Sequence, residues 1–157
     1  MPKKKKDDAS ICRNRKASFR FELLERVECG IVLRGSEVKS LREGQATLEE
    51  AYATIENDEL WLIGMHISPY AFDQSFEKSE PNRRRKLLAR AREIRKLKPQ
   101  VEQKGLTLVP VRAYFNERGI AKIEIAVARG KAHADKRQAI REREHRREMD
   151  RAIHRRR

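Results

Sequence analysis

Cations are the side chains whose number and spacing point most clearly to a chemistry in this chain. Lys and Arg number 38 against 24 Asp and Glu, which gives a formal net charge of +14 over 157 residues. Four consecutive cations occupy Arg83–Lys86, and the segment 129–157 holds twelve Lys or Arg against five Asp or Glu. A protein that neutralises several phosphates gains affinity by releasing condensed counterions. The charge pattern therefore predicts a polyanionic partner, most simply a nucleic acid.

Side chains that support catalysis or metal binding form no recognisable set. The chain has four scattered histidines: His66, His133, His145 and His154. Neither Cys12 nor Cys29 stands at a metal-ligand spacing, and no nucleophile motif or phosphate-binding glycine loop occurs. We therefore expect no catalytic residue, no metal and no cofactor. A nucleic-acid enzyme such as a nuclease is a rival hypothesis, but no acidic metal cluster favours it.

The cysteine number, the apolar runs and the N-terminal sequence together indicate the cellular compartment. Two cysteines are too few for a disulfide framework. No apolar run approaches the ~18 residues that a transmembrane helix needs, and the charged start Met1–Asp8 does not read as a secretory signal. We expect a cytoplasmic protein without a membrane partner.

Strands are predicted by apolar residues that alternate along the chain. The alternation begins at Phe19 and continues to Leu33, with a change after Leu24 that indicates a bend or bulge. Further strands are predicted over four ranges: Ala46–Glu56, Glu59–Met65, Val109–Phe115 and Ala121–Val127. Asn57-Asp58 is a favourable tight-turn dipeptide. Trp61 alternates with Ile63, which favours a packing role over base stacking.

Two helices are predicted between these strands. The range Ser36–Glu43 has apolar residues three apart and a glycine after it, which is typical of a short helix. An amphipathic helix is predicted from about Arg83, with Asn82 as its N-cap and a second turn opened by Pro99. Cations at the start of this helix would oppose its dipole, so the cluster Arg83–Lys86 favours an anionic partner.

The order of these elements predicts a mainly β fold with inserted helices, in the form of a small antiparallel barrel. We divide the chain into three parts: a flexible basic N-terminal arm over 1–16, a barrel domain that binds RNA over 17–128, and a basic C-terminal tail over 129–157.

The tail has no apolar stripe that could pack on the barrel. Ile140 is about half a turn out of phase with Met149 and Ile153, although the absence of Pro favours a helix. We expect a segment that is disordered or helical, and that becomes helical against phosphates. The alternative is a solvated basic terminus without a specific role.

Four motifs in one order resemble a known family. Gly35–Gly44 reads GSEVKSLREG, which resembles the Gly-x-Glu-[Val/Ile]-Lys-Ser-[Leu/Ile]-Arg-x-Gly signature of the SmpB (SsrA-binding protein) family. The other matching segments are Asn14–Ala17 (NRKA), Arg85–Leu88 (RKLL), and a set in the tail at 130–131, 135–137 and 141–144. They keep their order over essentially the whole chain.

The resemblance implies an OB-like barrel that binds transfer-messenger RNA (tmRNA) on its tRNA-like part. It implies a monomeric adaptor, 1:1 with the RNA, that delivers tmRNA to stalled ribosomes in trans-translation. The tail would enter the empty mRNA channel near the small-subunit decoding centre and form a helix there. The rival reading within the same class is a generic barrel-fold ribosomal or translation factor that binds rRNA.

The resemblance also implies which residues act. RNA contacts fall on Asn14, Lys16, Glu28, Lys39, Ser40, Arg42, Leu88 and Arg90, and the RKLL motif adds Arg85 and Lys86. Ribosome contacts of the tail fall on Lys131, Asp135, Lys136, Arg137, Arg141 and Arg143. The tail departs from the family pattern at Ala132, Ala134 and His145, where a Lys, an aromatic residue or His, and a Trp are usual. His133 and His145 are candidate substitutes for those aromatics.

Overall fold

The chain folds mainly into antiparallel strands. A computed structural model describes residues 10–74, 80–131 and 133–155. The strands are β1 Ser10–Arg13, β2 Phe21–Ile31, β3 Ala46–Thr47, β4 Tyr52–Glu56, β5 Glu59–Ile63, β6 His66–Ile67, β7 Arg85–Leu88, β8 Thr107–Phe115 and β9 Ala121–Gly130. The helices are α1 Ala17–Arg20, α2 Gly35–Arg42, α3 Ala91–Glu102 and α4 His133–Arg155.

Seven of these strands form one sheet in the order β1-β8-β4-β5-β7-β2-β9. Because β9 also pairs with β8, the sheet curls back on itself and encloses the core. The two short strands β3 and β6 form a separate antiparallel pair. The prediction of a mainly β, antiparallel fold with inserted helices is confirmed.

Alternation along the strands separates the core from the outer surface. In β5, Leu60 and Leu62 are fully buried. Trp61 lies between them and faces outwards, with the Arg84 guanidinium carbon 5.0 Å from its ring centroid. The packing role predicted for Trp61 is therefore played on the outer surface of the sheet, against a cation. The reason is the two-residue period, because one face of the strand already fills the core.

The residues of the β4–β5 and β8–β9 turns adopt the conformations that their types favour. Asn57 and Asp58 both have positive φ, as the tight turn between β4 and β5 requires. In the β8–β9 turn, the Asn116 side chain accepts hydrogen bonds from the backbone N–H of Arg118 and Ile120, at 3.0 and 2.9 Å. A register shift between Leu23 and Arg26 of β2 confirms the predicted irregularity in this long strand.

The helix predicted from Arg83 is wrong over its first eight residues. Residues Arg85–Leu88 form β7, and α3 begins only at Ala91, with the Arg90 backbone N–H capped by Glu93 at 3.0 Å. Leu87 fits a helical and an alternating pattern equally well, and its place between β5 and β2 decides for the strand. Pro99 lies inside α3 and does not open a separate turn.

Two more differences lie near the chain start. Residues Ser10–Arg13, which we placed in the arm 1–16, pair with β8 as strand β1. Residues Ala17–Arg20 form helix α1, so the strand predicted from Phe19 begins at Phe21. The remainder of the predicted arm, residues 1–9, lies outside the described residues.

The tail is a helix for most of its length. Strand β9 continues through Gly130, and α4 covers 23 residues from His133. Its three large apolar side chains, Ile140, Met149 and Ile153, are all exposed. The prediction that the tail has no stripe to bury is therefore confirmed.

Candidate nucleic-acid interface

Helix α2 presents two cations to solvent at its C-terminal end. Lys39 and Arg42 are exposed and lie in the last turn, where positive charge complements the helix dipole. Each also stands over an aromatic ring: Lys39 Nζ is 5.4 Å from the Tyr70 centroid, and Arg42 Cζ is 5.5 Å from the Phe115 centroid. We call these four residues the α2 surface. Ring contacts restrict the long side chains, so less conformational entropy is lost on binding a phosphate.

The opposite face of α2 is fixed to the barrel by a buried ion cluster. Arg85 of β7 is 0% exposed, and its Nε donates to Glu37 Oε2 at 2.6 Å. Its remaining donors reach backbone carbonyls of Met65 and Pro81, at 2.6 and 3.0 Å. Arg83 Nε donates to the other oxygen of Glu37 at 3.1 Å. All of these bonds hold Arg85 inside the fold, so the structure does not bring this predicted RNA contact to the surface.

The charge state of this cluster follows from its contacts. Burial alone would raise the pKa of Glu37, but the hydrogen bonds and charges of its arginine partners lower it below its ordinary value of 4.5. Burial lowers the pKa of Arg85, and the Glu37 carboxylate opposes that shift. The pair therefore stays ionised and anchors α2. Ser40 lies on the same inner face with 1% of its surface exposed, so the structure does not bring this predicted contact to the surface.

A groove between β2 and α3 brings together three predicted contacts from separate parts of the chain. Glu28 lies on β2, Leu88 ends β7, and Arg90 caps α3; all three are exposed and line one groove of about 960 Å³. Leu88 is 52% exposed, which is unusual for a leucine in a central strand. We call this feature the β2–α3 groove.

Gly30 leaves the space that the Leu88 side chain occupies. The two residues are opposite in the β2–β7 ladder, and a Cβ atom placed on Gly30 would lie 3.2 Å from the Leu88 Cβ and 3.5 Å from its Cδ1. The leucine side chain therefore lies over a position that has no side chain. This arrangement keeps an apolar group at the floor of a charged groove.

Cations outnumber carboxylates in the β2–α3 groove. Its cations are Arg26, Arg90, Arg92, Lys96 and Lys122, and its carboxylates are Glu25, Glu28 and Glu93. Each carboxylate has a partner within the protein: Glu25 accepts from Lys96 at 2.6 Å, Glu93 caps α3, and Glu28 accepts from the Tyr114 hydroxyl. Because five cations face three carboxylates, the lining of the groove carries a net positive charge, which favours a phosphate backbone.

Glu28 belongs to a wider cluster on the outer face of β2, β8 and β9. Burial, and then the hydrogen bond to Glu28, raise the pKa of Tyr114, whose ring also lies 4.4 Å below the Arg112 guanidinium carbon. Glu124 bridges Arg26 and Arg112 at 3.0 and 3.2 Å. The cluster fixes the Glu28 carboxylate in one orientation, from which it can accept a hydrogen bond from a base amino group.

A smaller cleft of about 170 Å³ contains the first two predicted contacts. Lys16 is exposed and pairs with Glu49 and Glu50, at 3.3 and 3.4 Å. Asn14 is buried, and its Nδ2 donates to the Pro110 carbonyl at 3.0 Å. Its Oδ1 has no hydrogen-bond partner among the residues that the structure describes. A buried acceptor left without a donor costs free energy of folding.

Other predicted residues are more dispersed. Lys86 is half-buried on the outer face and pairs with Glu59 at 3.1 Å, away from the α2 surface in the β5–β7 ladder. In the tail, Lys131 donates through Nζ to the Ser18 carbonyl at 2.8 Å. Arg137, Arg141 and Arg143 are exposed on α4. The side chains of Asp135, Lys136 and His133 lie outside the described residues, and His145 is exposed.

Sequence reasoning missed several cations of the groove: Arg26, Arg92, Lys96 and Lys122. Arg26 and Lys122 were visible in principle, since each alternates with buried residues on a strand and must face outwards. Predicting that Arg92 and Lys96 line the groove required the correct start of α3.

Within 10–74, 80–131 and 133–155, no group of three or more His, Cys, Asp or Glu could hold a metal ion. No helix in those ranges is long and apolar enough to cross a membrane.

Comparison with known proteins identifies relatives of this fold. A sequence profile described as SmpB protein matches residues 11–155. An SsrA-binding protein of Oleidesulfovibrio alaskensis is 52% identical over 151 residues, which are 96% of either chain. The SsrA-binding protein of Chelativorans sp. is 48% identical over 144 residues, or 92% of either chain.

A solved structure gives the same result in three dimensions. A chain from the structure described as "tmRNA-SmpB: a journey to the center of the bacterial ribosome" superposes with a TM-score of 0.65 and 46% identity, over 82% of this chain and 93% of that one. The resemblance seen in the four motifs is confirmed, because the profile, the relatives and the solved structure all cover most of the sequence. The chain belongs to the SmpB protein family.

Proposed function

We propose that this protein is a tmRNA-binding adaptor of trans-translation, which carries tmRNA to stalled ribosomes. Its relatives are named SsrA-binding proteins, and the solved structure that it resembles is described by tmRNA, SmpB and the bacterial ribosome. The observation that carries the proposal is the β2–α3 groove. Glu28, Leu88 and Arg90 come from three elements and meet there, within a set of five cations. Such a surface offers phosphate contacts together with an apolar floor for a sugar or base.

The barrel and the tail have separate tasks in this proposal. The groove, the α2 surface and the Asn14 cleft bind the tRNA-like part of tmRNA. The tail, with Lys131, Asp135, Lys136, Arg137, Arg141 and Arg143, contacts the ribosome in the empty mRNA channel near the decoding centre. The protein acts in the cytoplasm as a monomer, 1:1 with its RNA, and positions RNA without catalysing a reaction.

A competition experiment tests the choice of RNA. Labelled tmRNA bound to the protein at physiological salt is challenged with unlabelled tmRNA or with bulk tRNA. We expect tmRNA to compete at much lower concentration than tRNA, because the contacts described above form a shaped surface and not only a charged one. Equal competition by tRNA would contradict the proposal and favour a general rRNA- or tRNA-binding factor.

A matched pair of arginines on α3 tests the groove itself. Arg92 lines the β2–α3 groove, whereas Arg95, about one turn later on α3, lines a different pocket together with Asp58. Both are exposed, so replacing either with Ala removes the same charge without a buried partner. We expect Arg92→Ala to weaken tmRNA binding several-fold and to reduce the salt slope by about one. Arg95→Ala should change neither quantity, and equal effects of both variants would show that only net charge matters.

A further inference from the structure

A pair of aromatic side chains, one half-buried and one exposed, follows β6. The ring centroids of Tyr70 and Phe72 are 5.7 Å apart, and their planes meet at 68°, which is an edge-to-face contact. The Asp73 backbone N–H donates to the Tyr70 carbonyl at 3.1 Å, so a turn fixes both rings. Phe72 is 76% exposed, more than any other large hydrophobic side chain in the described part of the chain. Its ring face is therefore open to a ligand.

The pair is attached to the α2 surface and is not an isolated loop feature. Lys39 Nζ stands 5.4 Å from the Tyr70 centroid. The Ser68 backbone N–H donates to the Gln45 carbonyl at 2.9 Å, just beyond the end of α2. Strand β6 is held beside α2 by its pairing with β3. These contacts join the exposed Phe72 ring, through Tyr70, to a cation that already belongs to the proposed RNA-binding surface.

We propose that Phe72, supported by the Tyr70 ring on which Lys39 stands, is a stacking site for an unpaired base of the bound RNA. Every base has a π face, so an aromatic ring beside a cation that can reach the phosphate is suited to single-stranded RNA. An apolar protein partner is disfavoured, because the neighbouring exposed group is an ammonium and the whole chain carries +14. That the ligand of this site is RNA rests on the proposed function.

Two probes of equal length separate stacking from charge. The full-length protein is titrated against a labelled twelve-nucleotide oligoadenylate and against a twelve-base-pair RNA duplex at the same salt. Stacking on one ring changes affinity by roughly fivefold or more. We therefore expect Phe72→Ala to weaken oligoadenylate binding at least fivefold, and duplex binding by less than twofold. The salt slope should be unchanged, because no cation is lost.

Three control variants complete the test. Phe72→Tyr keeps the ring and should bind as the parent does, whereas Phe72→Leu keeps apolar area and should bind like the alanine variant. Ile120→Ala removes another exposed apolar side chain, in the β8–β9 turn, and should have no effect. An unchanged affinity of Phe72→Ala would overturn the site. Full affinity of Phe72→Leu would overturn it as well, and would indicate an apolar contact of the kind that a protein makes.

The outcome is distinguishable from a failure of the proposed function. If the parent protein does not prefer tmRNA to tRNA, the adaptor proposal fails whatever Phe72 does. If the parent prefers tmRNA and Phe72→Ala binds oligoadenylate as tightly as the parent, only the stacking site fails. Thermal unfolding of each variant should match the parent, since the Phe72 side chain is largely outside the core.

Discussion

Cations on the barrel and cations on α4 are held in different ways. On the barrel, Lys39 and Arg42 stand over rings, and Arg26 and Arg112 share Glu124. On α4, the described side chains are exposed, and the ring contact of Arg143 with Phe19, at 5.4 Å, reaches back to α1. A preorganised surface loses little entropy on binding and can select one RNA shape. An exposed helix can instead adapt to the surface that it meets.

Removing the tail should give the largest effect, and it tests whether the two regions are separable. Deletion of residues 131–157 is expected to abolish peptide tagging on stalled ribosomes while changing tmRNA affinity by less than about threefold. The reason is that the barrel contacts lie outside the deleted range, apart from general charge attraction. Tagging in a reconstituted translation reaction and filter binding measure the two activities. A parallel loss of both would mean that the tail and the barrel form a single RNA-binding surface.

The next largest effect is expected in the barrel, from loss of the buried ion pair between Arg85 and Glu37. Replacing Arg85 with Met removes the fully buried partner of Glu37 and leaves Arg83 as its remaining cation. Breaking a buried ion pair in this way typically costs about 3 kcal/mol or more. We expect urea unfolding to show that loss, together with weaker tmRNA binding as α2 loosens. Tail deletion should leave the free energy of unfolding nearly unchanged, since its described side chains are exposed.

A double variant controls for the volume change at Arg85. Glu37→Gln combined with Arg85→Met removes both charges and should be less destabilising than Arg85→Met alone. Equal or greater loss in the double variant would show that packing, and not the loss of the Arg85 charge beside the Glu37 carboxylate, explains the single variant.

A smaller effect is expected from the charges of the α2 surface. Replacing Lys39 and Arg42 together with Ala should weaken tmRNA binding and lower its salt slope by about two, one for each phosphate contact. Tagging at saturating RNA should then recover, because the tail is intact. Binding isotherms at several salt concentrations provide the measurement. An unchanged slope would place the phosphates elsewhere on the barrel.

The smallest effect should come from the contact that joins the two regions. Phe19→Ala removes the half-buried ring beneath the exposed Arg143 guanidinium, a surface contact worth about 0.5–1 kcal/mol. We expect the helical content of α4 by circular dichroism to fall slightly, with no change in tmRNA affinity. Phe19→Tyr keeps the ring and serves as the control. A large loss of helix would mean that α1 is the main support of the tail.

An element could be predicted from the sequence when the contacts that determine it are between residues close together in the chain. Helix α2 and the β8–β9 hairpin were predicted because spacing and turn residues specify them locally. The burial of Arg85 was not predictable, because its partner Glu37 is 48 residues away. The start of α3 was missed since Leu87 fits both periods, and only its neighbours β2 and β5 decide. The same long-range pairing creates the β2–α3 groove. The family motifs indicated some of its residues, but they did not predict that these residues meet in one groove.

The attachment of the tail has a geometric consequence. The Lys131 backbone N–H donates to the Arg20 carbonyl at 3.2 Å, which ties the base of the tail to the barrel. From there, the 23 residues of α4 extend about 35 Å at a rise of 1.5 Å each. Every added or removed residue changes this reach by about 1.5 Å and turns the far end by about 100°. The reach of a side chain on α4 and the direction that it faces are therefore both set by the number of residues between it and Lys131.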